Sequence, residues 1–337
     1  MKPKVRTMHV FIPGGAGYVG SLLVPALLDA GYAVTVYDLF LYGEDIFETI
    51  KDHPKLTLIK GDIRDLKHME KAVSGCDTVI HLACISNDPS FELNPNLGKS
   101  INLDPFEPFV QIAKKQGIKR FIYASSSSVY GVKDVPNVTE DMELTPLTDY
   151  SKFKAECEKI LMKYKSDDFT CCVLRPATVC GYAPRQRLDV VVNILTNLAY
   201  NTGKIKVMGG NQLRPNIDIR DMVRAYLFVL QAPAEKIQGE IFNAGYHNHS
   251  VLDLGKIVKE TVGKKKAVEL ETIPTNDNRS YHVSSQKIAD KLGFTAEYTI
   301  EDAVEGLMEA FSEGKLPNSL EDKRYFNIKT MKAVNLE

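Results

Sequence analysis

Tyr150 and Lys154 stand four residues apart in the stretch "DYSKFK" (149–154). On a helix that spacing puts both side chains on one face, where an ammonium favours loss of the phenol proton. A free phenol, with a pKa near ~10, is too weak a base to take a proton from an alcohol at neutral pH. The same spacing recurs at Tyr200–Lys204 and Tyr325–Lys329, and a chain with 15 tyrosines makes such pairs by chance. Position therefore decides. Asn201-Thr202-Gly203 interrupts the helical phase of the second pair, and the third lies in a polar C-terminal tail. Only Tyr150 opens a strongly amphipathic helical pattern, residues 150–164.

A second pattern is Gly14-x-x-Gly17-x-x-Gly20 in "GGAGYVG", after the apolar run 9–14 and before a helical pattern over 18–30. Glycines there permit a tight turn and close approach of a pyrophosphate, which then sits at a helix N-terminus. The next strand pattern ends at Asp38, and no arginine follows it directly. A carboxylate at that place accepts from a ribose 2′-hydroxyl and repels a 2′-phosphate, which favours NAD over NADP. Asp62, in "GDIRD", reads either as an adenine contact or as a helix N-cap. Gly14, Gly17, Tyr18 and Val19 of the glycine loop, with Asp38 and Asp62, form the cofactor-binding set expected from the pattern.

These groups need a scaffold that brings them to one edge. Strand patterns at 33–38, 56–62, 77–83, 120–126 and 170–177 alternate with helical patterns at 66–73 and 105–116. Such alternation implies right-handed βαβ units and a Rossmann-type doubly wound α/β fold with a parallel sheet. Residues 1–176 are expected to form mainly the NAD-binding domain. Residues 177–337, with helical patterns at 189–201, 221–231, 253–262 and 301–313, form mainly a smaller α/β substrate lobe. Some of this second half is expected to cross back to the first.

The chain has 337 residues, 42 basic and 43 acidic, for a formal net charge of −1. That balance lacks the concentrated positive surface that nucleic acid requires. The six cysteines form no Cys-x-x-Cys pair and no metal-ligand spacing with histidines, so no metal is expected. No run of about eighteen apolar residues is present, so no membrane span is expected, and a cytoplasmic location follows.

Taken together the motifs resemble the extended short-chain dehydrogenase/reductases that act on nucleotide sugars, the epimerases and dehydratases of UDP-galactose 4-epimerase type. The stretches that carry the resemblance are "GGAGYVG", "GDIRD", "HLA" (81–83), "SSSSVYG" (125–131), "YSKFK", "LRPATVCGY" (174–182), "RPNIDIRDMVRA" (214–225) and "DNRSYHVSSQKI" (277–288). They fall in family order and span most of the chain.

The resemblance implies a catalytic set of Ser126, Tyr150 and Lys154, with Lys154 also on the nicotinamide ribose, and it adds Ile63, Leu82, Ala83, Tyr150 and Lys154 to the cofactor-binding set. It implies a substrate set of Ser86, Ser127, Ser128, Thr178, Asn193, Arg214 and Arg279, with the two arginines on the nucleotide diphosphate; lone arginines also read as surface ion pairs. Residues 127 and 128 are both serine, where the dehydratases carry an acid pair and the fucose synthases a cysteine at the second position. The implied reaction is 4-epimerisation: Tyr150 takes the C4 hydroxyl proton while hydride moves to NAD, and hydride then returns to the other face. A net dehydrogenase or reductase uses the same three residues, and a silent NAD- or sugar-sensing protein is the reading from another class. Thr178 stands where the family has Asn, Pro13 where it has Thr or Ser, and "ACISNDPSF" (83–91) departs from an ordinary galactose epimerase. Family members dimerise through two helices, here 105–116 and 150–164.

Overall fold

The computed structural model describes residues 7–86, 93–133, 135, 137–275, 280 and 282–334. Its centre is a seven-stranded sheet made of β1 (His9–Pro13), β2 (Ala33–Asp38), β3 (Leu56–Lys60), β4 (Thr78–His81), β5 (Arg120–Ala124), β6 (Thr170–Pro176) and β10 (Glu240–Ala244). The strand order is β10-β6-β5-β4-β1-β2-β3, and every pairing in it is parallel. The fold is thus the expected Rossmann-type α/β sheet, with the chain reversing direction across it between β1 and β4. Its seventh strand comes from the second half of the chain.

Side-chain alternation sends residues of one strand into two cores. Val10 and Ile12 of β1 pack with α1 (Gly20–Asp29) and α7 (Ile219–Gln231). Phe11, between them, packs on the other face with α2 (Leu66–Val73), α4 (Phe106–Lys115) and α5 (Asp149–Lys163). Both faces are covered, which is why these strands read as continuous apolar runs.

Past β6 the chain makes β7 (Thr178–Cys180), α6 (Val191–Thr202), β8 (Lys204–Met208) and β9 (Leu213–Asp218), and, after β10, β11 (Asn248–Ser250), α8 (Val251–Gly263) and β12 (Glu269–Ile273). Two small sheets result, β11-β9-β7 and β12-β8. Helix α6 packs with α8 and α10 (Ile300–Ser312) around a separate apolar cluster that includes Val192, Leu195, Leu254, Val258 and Val304. Two further helices, α3 (Pro95–Asn102) and α9 (Gln286–Leu292), precede α10, and α11 (Asn327–Ala333) ends the described chain. Gly203, at φ +70°, ends α6 before Lys204, so Tyr200 and Lys204 lie on different elements. The C-terminal segment is not a loose polar tail: Tyr325 is buried beside Leu188 and Leu307, and α11 follows it.

A buried ion pair ties three of these elements together. Arg175 of β6 and Glu158 of α5 meet at 2.6 Å with both side chains 3% exposed. Ser125, at the end of β5, donates to the same carboxylate. Arg175 Nη1 also donates to Tyr130 Oη at 2.7 Å, and that hydroxyl donates to Asn243 Oδ1 of β10 at 2.7 Å. Removing one partner of such a pair leaves an uncompensated buried charge, at about 3–5 kcal/mol. Glu158→Leu should therefore lower unfolding free energy in urea by that amount, and Glu158→Leu/Arg175→Met should recover part of it. A single-variant loss under ~1 kcal/mol would show that the pair does not anchor the fold.

Candidate active site

The carboxyl ends of the parallel strands open into a cavity of about 530 Å³, within the size range of small-ligand sites. Gly14, Asp38, Asp62, Leu82, Ala124–Ser128 and Pro176–Thr178 line it, each immediately at or after a strand end. Gly14 has φ +78°, and a Cβ there would overlap the Ala83 backbone after β4. A Cβ at Gly20 would overlap the Gly15 carbonyl, so the first turn of α1 packs directly on the loop. Gly17, Tyr18 and Val19 face the cavity between them.

Asp38 Oδ2 accepts from Ala16 N–H at 3.0 Å and Oδ1 from Phe40 N–H at 2.8 Å. The carboxylate thus pins the glycine loop to the end of β2. Burial pushes its pKa up, against those N–H bonds and the charge of Arg185. Asp62 also lines the cavity, but its carboxylate is engaged by Arg64, with Nη2 at 2.6 Å and the main-chain N–H at 2.8 Å. The cap of α2 is Asp65, which accepts from His68 N–H at 3.0 Å; the N-cap reading of Asp62 is corrected accordingly. Ile63, Leu82 and Ala83 complete this side.

Helix α5 is started by a capping box between Thr148 and Ser151, which fixes the register of the next turn. Tyr150 and Lys154 consequently share a face, and both line the cavity. Lys154 is 3% exposed; its Nζ donates to Ala124 O at 2.6 Å and lies 5.9 Å from the Tyr150 ring centre. Its partner is a carbonyl dipole, so its charge is not cancelled by a carboxylate there. Ser126 Oγ accepts from Ser128 N–H at 3.1 Å and from Ser128 Oγ at 2.9 Å. Two accepted bonds leave the Ser126 O–H as a donor directed by its neighbours. Ser127 and Ser128 both line the cavity; Ser125 also reaches it, but its hydroxyl is engaged by the Glu158 carboxylate.

Ser86, Thr178 and Arg214 also line the cavity. Asn193 does not. It is wholly buried, with Nδ2 donating to Arg187 O at 2.7 Å and Tyr18 Oη at 3.0 Å, and Oδ1 accepting from Gly181 N–H at 2.9 Å. Its amide holds main chain, so direct substrate contact is corrected to support of the loop after β7. Arg279 and most of the 83–91 stretch lie outside the described residues. The sequence reading missed Tyr42, Arg185, Arg187, Asp189, Asn327 and Met331, all of which line the cavity. The cluster "PRQRLD" before an apolar helix was the available signal for three of them.

The sequence profile of the NAD dependent epimerase/dehydratase family matches residues 10–245. The chain belongs to that family. Among curated relatives, the UDP-glucose 4-epimerase of Corynebacterium glutamicum is 26% identical over 88% of this chain and 94% of its own. UDP-arabinose 4-epimerase 1 of Arabidopsis thaliana is 26% identical over 86% of this chain and 76% of its own. The solved UDP-glucose 4-epimerase of Thermotoga maritima with UDP-glucose is 26% identical and superposes with a TM-score of 0.79, covering 93% of this chain and 100% of that one. The UDP-glucuronic acid 4-epimerase of Bacillus cereus, solved with UDP-glucuronic acid and NAD, shares the fold at 24% identity and TM-score 0.80, covering 91% and 99%. Family, glycine loop and Asp38 agree on NAD as the cofactor, and the residues present fit it: Gly14 and Gly20 have no room for a Cβ, which keeps the loop tight against the sheet, and the acid stands at the end of β2. No described helix is long and apolar enough to cross a membrane.

His81, the last residue of β4, lies in the aromatic cluster of Phe106, Phe109, Phe121 and Tyr123. Burial, and then the charge of Lys154, push its pKa down to about 3. The unfolded chain takes up this proton near pH ~6.5, whereas the folded one resists it to about pH 3. Unfolding in that window binds a proton, so stability falls as pH falls, by up to about 1.4 kcal/mol per pH unit. His81→Leu should flatten the decline in urea midpoint between pH 6 and pH 4.5 relative to wild type. Parallel declines in both proteins would mean that other groups set the acid limit.

Proposed function

We propose that this chain is a nucleotide-sugar 4-epimerase. The observation that carries the reading is the placement of Tyr150 and Lys154 on one face of α5, with Ser126 on the same cavity and serines, not an acid pair, at 127 and 128. The 4-epimerase relatives at 26% identity support it. Bound NAD would supply an acceptor and donor of hydride at the sugar carbon. Tyr150 takes the C4 hydroxyl proton and returns it, and the ammonium of Lys154 favours the phenolate through which it does so. Ser126 donates to the same sugar oxygen and orients it.

Gly14, Gly17, Tyr18, Val19 and Asp38 hold the adenosine half of the dinucleotide, with Asp62, Ile63, Leu82 and Ala83 along its flank. Thr178, Ser86, Ser127, Ser128 and Arg214 face the nucleotide sugar, and Arg279 belongs to the same set by family position. Residues 1–176 act mainly as the cofactor domain and 177–337 as the substrate lobe. A cytoplasmic homodimer, pairing through α4 and α5, completes the proposal.

The purified protein, incubated with a panel of nucleotide sugars and no added cofactor, should yield a product of unchanged mass and new retention time. Loss of two hydrogens with stoichiometric NADH would instead establish a dehydrogenase. Tyr150→Phe should lower turnover by about 10²–10⁴-fold with little change in substrate affinity. Undiminished cellular function in that variant would favour a sensing protein. Asp38→Ser should narrow the preference for NAD over NADP, read as the ratio of their dissociation constants; an unchanged ratio removes Asp38 from the ribose site.

A further inference from the structure

Arg185 follows β7 and is 4% exposed, yet it lines the cavity. Its main-chain N–H donates to Ser21 Oγ at 3.2 Å, which places it at the first turn of α1, beside the glycine loop. The guanidinium lies over the Tyr42 ring, 3.5 Å from its centre. Nη2 donates to Asn327 Oδ1 at 2.6 Å. Nε is buried and has no hydrogen-bond partner among the described residues. The contrast with its neighbours is chemical. Arg187 has Asp189 at 2.6 Å and Arg175 has Glu158 at 2.6 Å, whereas no carboxylate stands within ion-pair distance of Arg185 among the described residues.

Asp38 and Asp189 act on Arg185 only at longer range, and neither touches it. A buried cation with no carboxylate in contact is costly, and the cost is lowered by an anion that enters its open side. The N-terminus of α1 favours negative charge at the same place. We infer that Arg185 is a diphosphate-binding residue of this cavity, held in position for that role by Tyr42 and Asn327. The inference rests on the proposed reading of the cavity as a dinucleotide and nucleotide-sugar site. Both ligands carry a diphosphate, and the contact to Ser21 of α1 favours that of the dinucleotide.

The clamp reaches beyond the part of the chain that the family profile matches, which ends at residue 245. Asn327 begins α11 and is 3% exposed. Besides accepting from Arg185, its Nδ2 donates to Ser86 Oγ at 2.8 Å and its main-chain N–H to Asp189 Oδ2 at 2.7 Å. One amide thus joins the segment after β4, the loop after β7 and the C-terminal helix around the guanidinium. Asn327 and Tyr42 are positioning residues; Arg185 is the one that meets the ligand.

Calorimetry on the full-length protein stripped of cofactor tests this without turnover. ADP-ribose carries the pyrophosphate and AMP does not; UDP and UMP make the same comparison for the substrate diphosphate. Arg185→Met should weaken ADP-ribose by about tenfold and AMP by less than twofold. A tenfold loss for UDP but not UMP would keep the diphosphate role and assign it to the sugar nucleotide. Arg185→Lys should recover part of the loss, and Asn327→Leu, which keeps the guanidinium, should produce a smaller loss with the same discrimination. Equal losses for diphosphate and monophosphate probes, or no loss for either diphosphate, would overturn the inference, and Asn327→Leu decides if Arg185→Met does not fold. Failure of epimerisation with this discrimination intact would sink the proposed reaction and leave the Arg185 assignment standing.

Discussion

The Arg175–Glu158 pair is the constraint on which the site depends. Glu158 lies one turn beyond Lys154 on α5, Arg175 sits two residues before Ala177 on the cavity rim, and Ser125 immediately precedes Ser126. A single buried carboxylate therefore sets three distances at once: the helix that carries Tyr150, the strand end that carries the serines, and the strand that leads to Thr178. Apolar packing alone would permit α5 to slide or roll on the sheet by a fraction of a turn. A bidentate contact, with Arg175 Nε at 3.0 Å and Nη2 at 2.6 Å from the two carboxylate oxygens, permits far less. Tyr130 and Asn243 extend the restraint to β10, so the last strand of the sheet is registered by the same network.

The first half of the fold was legible in the sequence because its signals are local. β1, β2, β4, β5 and β6 are short apolar runs buried on both faces, β3 is a half-buried edge strand, and the helices between them show 3.6-residue periodicity with clear stops at Gly31 and Gly117. Helix α3 was missed because "PNLGKSIN" carries Asn, Gly and Ser and has little helical propensity of its own; its cap at Asn94 and its packing through Leu97 and Ile101 decide it. The strands β7, β8, β9, β11 and β12 were illegible for another reason. They are short or half-exposed, and they pair with segments far away in the chain, so no window contains the information.

The site divides along the same line. Tyr150, Lys154, the glycine loop and Asp38 are readable because spacing within one element, or order between adjacent elements, brings them together. Asn193 was placed on the substrate by family position, yet its amide satisfies the backbone of Gly181 and Arg187, a need visible only once the loop after β7 has a shape. Arg185 and Arg187 stand two apart in the sequence but differ in kind: Arg187 is in ion-pair contact with Asp189 and Arg185 is not. Asn327 gave no signal, since its three partners lie more than a hundred residues upstream.

The electrostatics around Tyr150 follow from what Lys154 is not bonded to. A carboxylate partner would hold the ammonium equally well but would remove most of its field at the phenol one turn away. The carbonyl of Ala124 holds it at 2.6 Å and leaves the charge in place. That arrangement has a consequence for the neighbours, because a buried positive charge disfavours any second one. His81, with its pKa pushed down to about 3 by burial and by Lys154, meets the requirement by remaining neutral among aromatic rings. The carboxylates of the region are used elsewhere, Glu158 on Arg175 and Asp189 on Arg187. The cavity therefore presents one directed cation to the tyrosine and another, Arg185, to an anion at the glycine loop, neither with a carboxylate in contact among the described residues.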